Sequence, residues 1–169
     1  ARRQRQMCIR DSNLNIAIGP LVQTWRIGFE DARVPNHSLI SRQLALTDPK
    51  QVIIDDKEQT VFLQQAGMAL DLGALAKGYI ADKVMAYLIR DGIDSALINL
   101  GGNVLVHGPN PKRADAAFHV GIQKPGAKRG QHLGVIKINN QSVVTSGIYE
   151  RQLNVVGKHY HHLFDRKTG

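Results

Sequence analysis

The amino-acid sequence predicts an α+β fold, a β-rich single domain in which one long amphipathic helix, residues 74–91, packs on antiparallel strands. The composition supports a packed core, because 43% of the 169 residues are hydrophobic and 21% are charged. Apolar residues recur at helical spacing in this segment, and short apolar runs separated by glycine, proline or asparagine follow it. No stretch approaches the roughly 18 consecutive apolar residues of a membrane-spanning helix.

The first twelve residues, ARRQRQMCIRDS, differ in pattern from the rest of the chain. They contain neither the apolar core of a signal peptide nor small residues ahead of Cys8, so they fit neither a secretion signal nor a lipoprotein cysteine. We therefore interpret residues 1–12 as an atypical leader outside the fold and residues 13–169 as the domain. Cys8 is the only cysteine, which leaves no disulfide and no thiolate metal cluster to predict.

Between this leader and the long helix, the sequence predicts only short elements. Gly19-Pro20 is typical of a helix start, because proline is tolerated in the first helical turn. Two short β runs flank an acidic turn and predict a hairpin. The predicted elements are a helix from Gly19, a short helix at Leu39–Leu46, strands at Val52–Ile54 and Thr60–Leu63, and a strand end at Leu70–Leu72.

The long helix has the clearest periodic pattern in the sequence. Five apolar residues share one face at 3.6 residues per turn and predict the side that packs: Ala76, Ile80, Val84, Tyr87 and Leu88. Gly92 follows at a position where a left-handed C-cap is favoured, which ends the helix near residue 91.

The rest of the chain is rich in predicted strands, and the total is about eight. Gly101-Gly102 joins the apolar runs SALINL and NVLVHG as a tight turn, and Asn99 ahead of it is a candidate polar lining residue. Gly157-Lys158 marks the turn of a further hairpin near the end of the sequence. One long helix among many short strands is the pattern of an α+β domain.

The segment DLGALAKG, residues 71–78, is a candidate phosphate site. A glycine turn that opens a helix presents free backbone N–H groups and the positive end of the helix dipole, and Lys77 adds a point charge one turn later. Asp71 beside it could accept a hydrogen bond from a ligand. The spacing matches neither the dinucleotide-binding fingerprint nor the P-loop. The alternative, a helix start whose glycines allow close packing while Lys77 lies in solvent, stays open.

A second cluster lies in HYHHLFDRKTG, near the end of the sequence. Its histidines and carboxylate are ligands that suit zinc or iron. Alternation along a strand puts His159 and His161 on one face and His162 on the other, which disfavours a three-histidine metal site. His162 and Asp165 suit ligand contact and turn stabilisation equally.

Thr145 and Ser146, in VVTSGIYER, form a third candidate cluster. Their hydroxyl and N–H groups could bind either a ligand or the local backbone. A serine nucleophile would need the G-x-S-x-G elbow, which is absent, so Ser146 is not favoured in that role.

The formal net charge of +8 does not indicate a nucleic-acid-binding protein. Four of the 22 basic residues lie within the first ten residues, and the other 18 exceed the 14 acidic residues by only 4. No long basic run or aromatic-rich basic strand follows. We therefore exclude nucleic acid from the expected partners.

Taken in order, six blocks of the sequence resemble the ApbE-type FAD:protein FMN transferases. They are LNIAIGPLVQTWRIG, MALDLGALAKGYIADKV, ALINLGGNVLVHG, FHVGIQKP, VVTSGIYER and YHHLFDRKTG. The resemblance covers the chain from about Asn13 to Gly169, and the order D-L-G-x-x-A-K-G, N-L-G-G, T-S-G-x-Y-E-R is specific. It implies an ApbE-like T-fold domain whose N- and C-terminal parts lie outside this sequence.

The resemblance also implies an activity and its partners. Such an enzyme binds FAD with Mg²⁺ and transfers the FMN half to a threonine or serine hydroxyl of a flavoprotein acceptor, releasing AMP. A metal and a lysine would neutralise the charge that develops in this phosphoryl transfer. Some relatives hydrolyse FAD to FMN and AMP instead, so an FAD pyrophosphatase stays an alternative, as does a flavin-binding module without catalysis.

Residue roles follow from the matching motifs. Lys77 and His162 are the implied catalytic residues, the latter from the family's H-x-x-D-P-x-T-G motif, and the Ala74 backbone carbonyl is the implied metal ligand. The implied FAD contacts are Asn13, Leu14, Asn15, Asp71, Lys77, Thr145, Ser146, His162 and Leu163.

The sequence departs from the family pattern at three positions. Asn15 stands where aspartate is commoner, Ile148 where many members have aspartate, and Arg166 where proline is usual. Arg166 puts the geometry of the local turn in question.

The resemblance carries two further expectations. The family's side-chain metal ligands, an aspartate and a threonine, follow the T-G on which this sequence stops, so we expect weak metal binding and low activity from this chain alone. It also implies a location outside the cytoplasm, either exported or membrane-anchored as a lipoprotein.

Overall fold

The structure, a computed structural model, describes residues 14–128, 130–147 and 151–169. These residues form two compact units, which we call unit one (residues 14–72 and 151–169) and unit two (residues 73–128 and 130–147). Asn13, an implied FAD contact, and Ile148, one of the departures from the family pattern, lie outside the described residues. The predicted boundary between the leader and the domain lies outside them as well.

The described residues form three α-helices and nine strands. The helices are α1 (Gly19–Trp25), α2 (His37–Leu44) and α3 (Gly73–Arg90), and short 3₁₀ turns lie at Ile16–Ile18 and Pro49–Gln51. The strands are β1 (Val52–Asp55), β2 (Thr60–Leu63), β3 (Ala96–Leu100), β4 (Asn103–His107), β5 (Phe118–Gln123), β6 (His132–Ile138), β7 (Ser142–Val144), β8 (Gln152–Val155) and β9 (Lys158–His161).

Unit one combines the two short helices with two antiparallel hairpins, β1–β2 and β8–β9. Its core is centred on Ala17, Val52 and Met68, with partly buried leucine and isoleucine side chains around them. Gly19 opens α1 where the chain passes close to Ala69, because a Cβ at that position would lie 2.6 Å from the Ala69 carbonyl oxygen. The glycine is therefore a packing requirement at this helix start.

Unit two packs α3 against β3 and β4 of a three-stranded antiparallel sheet ordered β3-β4-β7. A separate antiparallel pair, β5–β6, contributes to the same core. Val104 and Val106 of β4 meet Phe118 of β5 and Ile138 of β6 in this core. Since side chains alternate along a strand, the opposite face of β4 is the one available to the helix.

The predicted fold class is confirmed, an α+β arrangement with one long helix on antiparallel strands. The helix spans Gly73–Arg90, one residue earlier at each end than predicted. Helix α2 begins two residues before its predicted start because the side chain of Asn36 accepts a hydrogen bond from the backbone N–H of Leu39 and caps it. The hairpin at residues 52–63 is confirmed.

Three predictions on local structure are wrong. The β8–β9 turn consists of Val156 and Gly157 and not of Gly157-Lys158, because Lys158 pairs with Val155 in the hairpin. Residues 70–72 form no strand, and the backbone N–H of Asp71 instead donates one hydrogen bond of 2.8 Å to the Ile16 carbonyl. The apolar stripe of α3 is not its buried face either. The buried residues are Ala81 and Met85, at 1% and 5% exposed, whereas three stripe residues remain largely exposed: Ile80 at 50%, Val84 at 43% and Tyr87 at 55%.

The buried face of α3 includes positions with small residues, Gly78 and Ala81. Gly78 lies one turn from Ala81, and its missing Cβ would stand 3.8 Å from the Asn103 side-chain nitrogen of β4. Small residues at these two positions let the helix lie close to the sheet there, which helical spacing of the larger apolar residues does not reveal. Among the described residues, no helix combines the length and the apolar character that crossing a membrane requires.

Candidate functional site

The candidate site in unit two is built around the two-residue turn between β3 and β4. The pairing of Leu100 with Asn103 leaves only Gly101 and Gly102 in the turn, and their φ angles are 61° and 91°. Two consecutive positive φ angles match a type I′ hairpin turn, which glycine adopts without steric cost. The Asn99 side-chain oxygen accepts a 3.0 Å hydrogen bond from the backbone N–H of Gly102.

Two polar side chains end at this diglycine turn. A Cβ at Gly101 would lie 3.6 Å from the Lys77 ammonium nitrogen, and a Cβ at Gly102 would lie 3.4 Å from the Thr145 hydroxyl oxygen. Lys77 comes from α3, and Thr145 directly follows β7. The helix and the sheet therefore bring a cation and a hydroxyl to a bare stretch of backbone.

Such an arrangement suits a phosphate or pyrophosphate group. An exposed ammonium can neutralise a phosphoryl oxygen as a point charge, a hydroxyl can donate a hydrogen bond to another, and glycines let a ligand approach the backbone. Both Lys77 and Thr145 are exposed, so a ligand can reach them. We call Lys77, Gly101, Gly102 and Thr145 the diglycine cluster.

Two other predicted residues of unit two lie in the same sequence segments. Ser146 is exposed and follows Thr145. Ala74 is the second residue of α3 and is also exposed. A helical carbonyl accepts the N–H four residues on and keeps a second lone pair, so the Ala74 oxygen could act as one metal ligand.

The remaining predicted residues belong to unit one, where local hydrogen bonds engage several of them. The Asn15 side-chain oxygen accepts from the Ala17 N–H at 2.9 Å, and its amide nitrogen donates to the Thr47 carbonyl at 2.7 Å. Asn15 thus caps the first 3₁₀ turn and ties it to residue 47. Leu14 and Asp71 are also partly buried.

His162 and Leu163 follow β9 directly. His162 is partly buried, and its Nδ1 atom lies 3.5 Å from the Arg151 carbonyl oxygen. In the tautomer with hydrogen on Nδ1, that nitrogen donates to the carbonyl and Nε2 keeps a lone pair able to accept a proton. Leu163 is exposed, and its backbone N–H donates to the Nδ1 atom of His161 at 3.3 Å.

Asp165 stabilises a turn. Its carboxylate accepts hydrogen bonds from the backbone N–H groups of Lys167 and Thr168 and from the Thr168 hydroxyl. The Lys167 and Thr168 N–H groups hold the pKa of Asp165 below its usual range. The turn therefore forms with Arg166 in place of the family's proline.

The histidine cluster of unit one shows no metal-binding geometry. His159 contacts the Asn154 side chain at 2.6 Å across the β8–β9 hairpin. Within the described ranges 14–128, 130–147 and 151–169, no three histidine, cysteine or acidic side chains are close enough together to hold a metal ion. Unit one also contains a cavity of about 140 Å³ beside the aromatic side chains of Trp25, Tyr160 and Phe164.

Sequence reasoning did not include the turn in the candidate site. Gly101 and Gly102 were predicted only as a hairpin turn, and Asn103 was not singled out. The available signal was the pattern N-L-G-G-N, in which two glycines that need positive φ lie between asparagines. An asparagine next to a type I′ turn often bonds to its backbone, as Asn99 does here.

Comparison with known proteins identifies the family. The model of the ApbE family matches residues 3–169. The FAD:protein FMN transferase of Klebsiella pneumoniae (strain 342) is 50% identical over 161 residues, which are 95% of this chain and 48% of that protein. The FAD:protein FMN transferase of Treponema pallidum (strain Nichols) is 40% identical over 166 residues, 92% of this chain and 46% of that protein.

Solved structures of the family share the fold. The ApbE protein of Thermotoga maritima superposes with a TM-score of 0.87 at 28% identity, over 99% of this chain and 54% of that one. The flavin transferase ApbE of Vibrio cholerae has a TM-score of 0.76 at 28% identity, over 99% of this chain and 52% of that one. The chain thus spans about half the length of the relatives it matches. On the evidence of the matching family model and these relatives, the chain belongs to the ApbE family.

Proposed function

We propose that the protein transfers the FMN half of FAD to a threonine or serine hydroxyl of a flavoprotein acceptor and releases AMP. The observation that carries this proposal is the diglycine cluster, where Lys77 and Thr145 flank two glycines at a point suited to a pyrophosphate. The relatives named above are FAD:protein FMN transferases, which supports the same reaction.

In this reaction the acceptor hydroxyl oxygen forms a bond to the FMN phosphorus, and the bond from that phosphorus to the bridging pyrophosphate oxygen breaks. AMP leaves with the bridging oxygen, and the acceptor hydroxyl loses its proton. Charge on the leaving phosphate rises, so a cation held beside the pyrophosphate lowers the barrier. Lys77 is the side chain we assign to that task, and the Thr145 hydroxyl would hold a second phosphoryl oxygen.

We assign His162 as the residue that accepts the proton of the acceptor hydroxyl. Its Nδ1 atom faces the Arg151 carbonyl, which favours the tautomer with a lone pair on Nε2. An imidazole nitrogen with a free lone pair can accept a proton from a hydroxyl. Asp71 and Leu163 are assigned to FAD contacts on the motif resemblance.

The diglycine cluster fits the pyrophosphate of FAD. A Cβ at either glycine of the turn would occupy the space next to Lys77 or Thr145, and glycine leaves that space open to a ligand. For Mg²⁺, the described residues do not supply a full site. They offer the Ala74 carbonyl but no group of three histidine, cysteine or acidic side chains. We propose Mg²⁺ as a requirement of the whole protein on the resemblance alone and derive no step through it.

The test is a mass measurement on the acceptor. The sample is a protein that contains this chain and is as long as the relatives. It is incubated with FAD, Mg²⁺ and a candidate flavoprotein acceptor. We expect an acceptor adduct of the mass of FMN on a threonine or serine, together with free AMP. Free FMN and AMP without an adduct would indicate the pyrophosphatase, and bound but intact FAD would indicate a binding module.

The location is also a proposal. We propose that the protein works outside the cytoplasm, exported or anchored as a lipoprotein, and the family resemblance is its only support. Fractionation of cells that express the natural gene, followed by immunodetection in each fraction, would test it. Recovery in the cytoplasmic fraction alone would contradict it.

A further inference from the structure

The diglycine turn carries one hydrogen bond that it does not need for closure. A two-residue type I′ turn made of two glycines forms readily from its own backbone geometry. Yet the exposed Asn99 side chain accepts a hydrogen bond of 3.0 Å from the Gly102 N–H. This bond restricts rotation of the peptide group at Gly102, and glycine has the greatest backbone freedom of any residue.

The orientation of this turn decides what Lys77 and Thr145 can reach. The Lys77 ammonium and the Thr145 hydroxyl lie 3.6 Å and 3.4 Å from where the Cβ atoms of Gly101 and Gly102 would be. Both side-chain ends therefore lie next to the space that the absent side chains of the two glycines leave open. A rotation of the glycine peptides would change the space between the cation and the hydroxyl.

We propose that Asn99 is a positioning residue for the diglycine cluster: its hydrogen bond to Gly102 holds the turn in the orientation that lets Lys77 and Thr145 bind one pyrophosphate. This inference rests on the proposed function, since it names a residue that supports the same FAD site. Asn99 acts through the turn and does not contact the ligand. Its amide oxygen uses the Gly102 N–H, so that N–H is not a donor to phosphate.

The test compares three variants of this chain in two measurements. Asn99→Leu keeps the side-chain size but removes the acceptor, and Asn99→Ser keeps a hydroxyl that can accept the same N–H. Gln141→Leu is the control, an exposed amide of the same unit near the other end of β4. The measurements are amide hydrogen exchange of Gly102 by NMR and the dissociation constants for FAD and for inorganic pyrophosphate.

We expect Asn99→Leu to speed Gly102 exchange and to weaken both ligands by about two- to tenfold, the effect of one lost hydrogen bond. Asn99→Ser should lie between Asn99→Leu and wild type in both measurements, and Gln141→Leu should match wild type. A merely structural role would change melting temperature and exchange but leave ligand affinity unchanged.

The inference is wrong if Gly102 exchange accelerates while both affinities stay at the wild-type value, or if affinity falls without any change in exchange. Should Asn99→Leu not fold, Asn99→Ser alone decides by the same two readings. Failure of the wild-type chain to bind either ligand would overturn the proposed phosphate site itself, and the inference with it. A wild-type chain that binds, with variants that bind equally well, would overturn only the inference.

Discussion

The candidate site residues of the two units differ in the hydrogen bonds that their side chains make. In unit two, Lys77 and Thr145 end at a bare glycine turn and remain exposed. In unit one, Asn15 uses both ends of its amide on neighbouring backbone, and Asp165 accepts three hydrogen bonds within its own turn. A side chain whose hydrogen bonds are made locally stabilises the fold, whereas one directed at open backbone is available to a ligand.

This contrast separates residues that a motif comparison places in one group. The resemblance assigned FAD contacts to both units without distinguishing them. The structure indicates that the unit two residues have the stronger physical case for direct ligand binding, and that Asn15 has a structural role in addition to any contact. Substitutions in unit two should therefore affect ligand binding, and those of Asn15 should affect stability.

Replacing Lys77 should have the largest effect. We expect Lys77→Ala to reduce the rate of FMN transfer by about 100-fold, because one preorganised electrostatic group is lost where charge develops. The control is Lys83→Ala, the same charge change on the same helix, where the ammonium lies 5.5 Å from the Tyr79 ring. Transfer rates of both variants are compared with wild type. Equal rates for Lys77→Ala and Lys83→Ala would remove the main support for the diglycine cluster.

A substitution of Asn15 tests the structural role proposed for polar residues in unit one. Asn15→Ala should lower the free energy of unfolding by about 1–2 kcal/mol, because a capping bond and a bond to the Thr47 carbonyl are both lost. Urea denaturation followed by circular dichroism measures this change. Asn36→Ala, which removes the α2 cap and a hydrogen bond from the Ser38 hydroxyl, should cost less because both of these bonds are exposed. Unchanged stability with a large loss of FAD affinity would show that Asn15 serves the ligand and that the contrast between the units is false.

Gly102→Ala tests crowding at the turn. The added methyl group would stand 3.4 Å from the Thr145 hydroxyl in a residue with φ of 91°, so FAD affinity should fall by about fivefold. The matched control is Gly92→Ala, whose φ is 83° with no atom within 4 Å of the new Cβ. Both variants carry similar backbone strain, so only their difference in ligand affinity reports on Thr145. Equal affinities, measured by flavin fluorescence, would contradict the cluster.

The smallest expected effect concerns two carboxylates, one in each unit. Local N–H groups lower the pKa of Asp165, and hydrogen bonds from Lys137 and His119 hold that of Asp115 well below its usual range. A carboxylate whose pKa is lowered by folding stabilises the folded chain at pH values above 3.8, the pKa in the unfolded chain. This stabilisation is lost as the pH falls through the pKa of the folded chain. Carbon-detected NMR titration should show both groups more than half ionised at pH 3.8. Titration of either group above that value would contradict the assigned hydrogen bonds.

Much of the fold could be predicted because its signals are local. Periodic apolar residues, the Gly19-Pro20 start and the alternating runs at residues 52–63 gave the correct elements. The buried face of α3 could not be predicted from periodicity, since Ala81 and Met85 are buried whereas Ile80 and Val84 of the apolar stripe are exposed. Which face packs depends on how closely a distant strand approaches, and local spacing does not contain that information.

The site was predicted in part for a similar reason. Lys77 and Thr145 were identified from their motifs, but they reach the same turn only because α3 packs on β3 and β4 and the distant strand β7 pairs with β4. The hydrogen bond of Asn99 depends on the type of that turn, which becomes evident only when the register of β3 and β4 is known. Roles that need tertiary contacts lay beyond sequence reasoning.

The central claim is that the diglycine cluster binds the pyrophosphate of FAD. The most direct measurement is a titration of the isotope-labelled chain with FAD and then with inorganic pyrophosphate, followed by amide NMR. We predict that both ligands shift the same signals, those of Lys77, Gly101, Gly102 and Thr145, and that Lys77→Ala abolishes the shifts with pyrophosphate. Shifts confined to residues of unit one, or none at these four positions, would contradict the account.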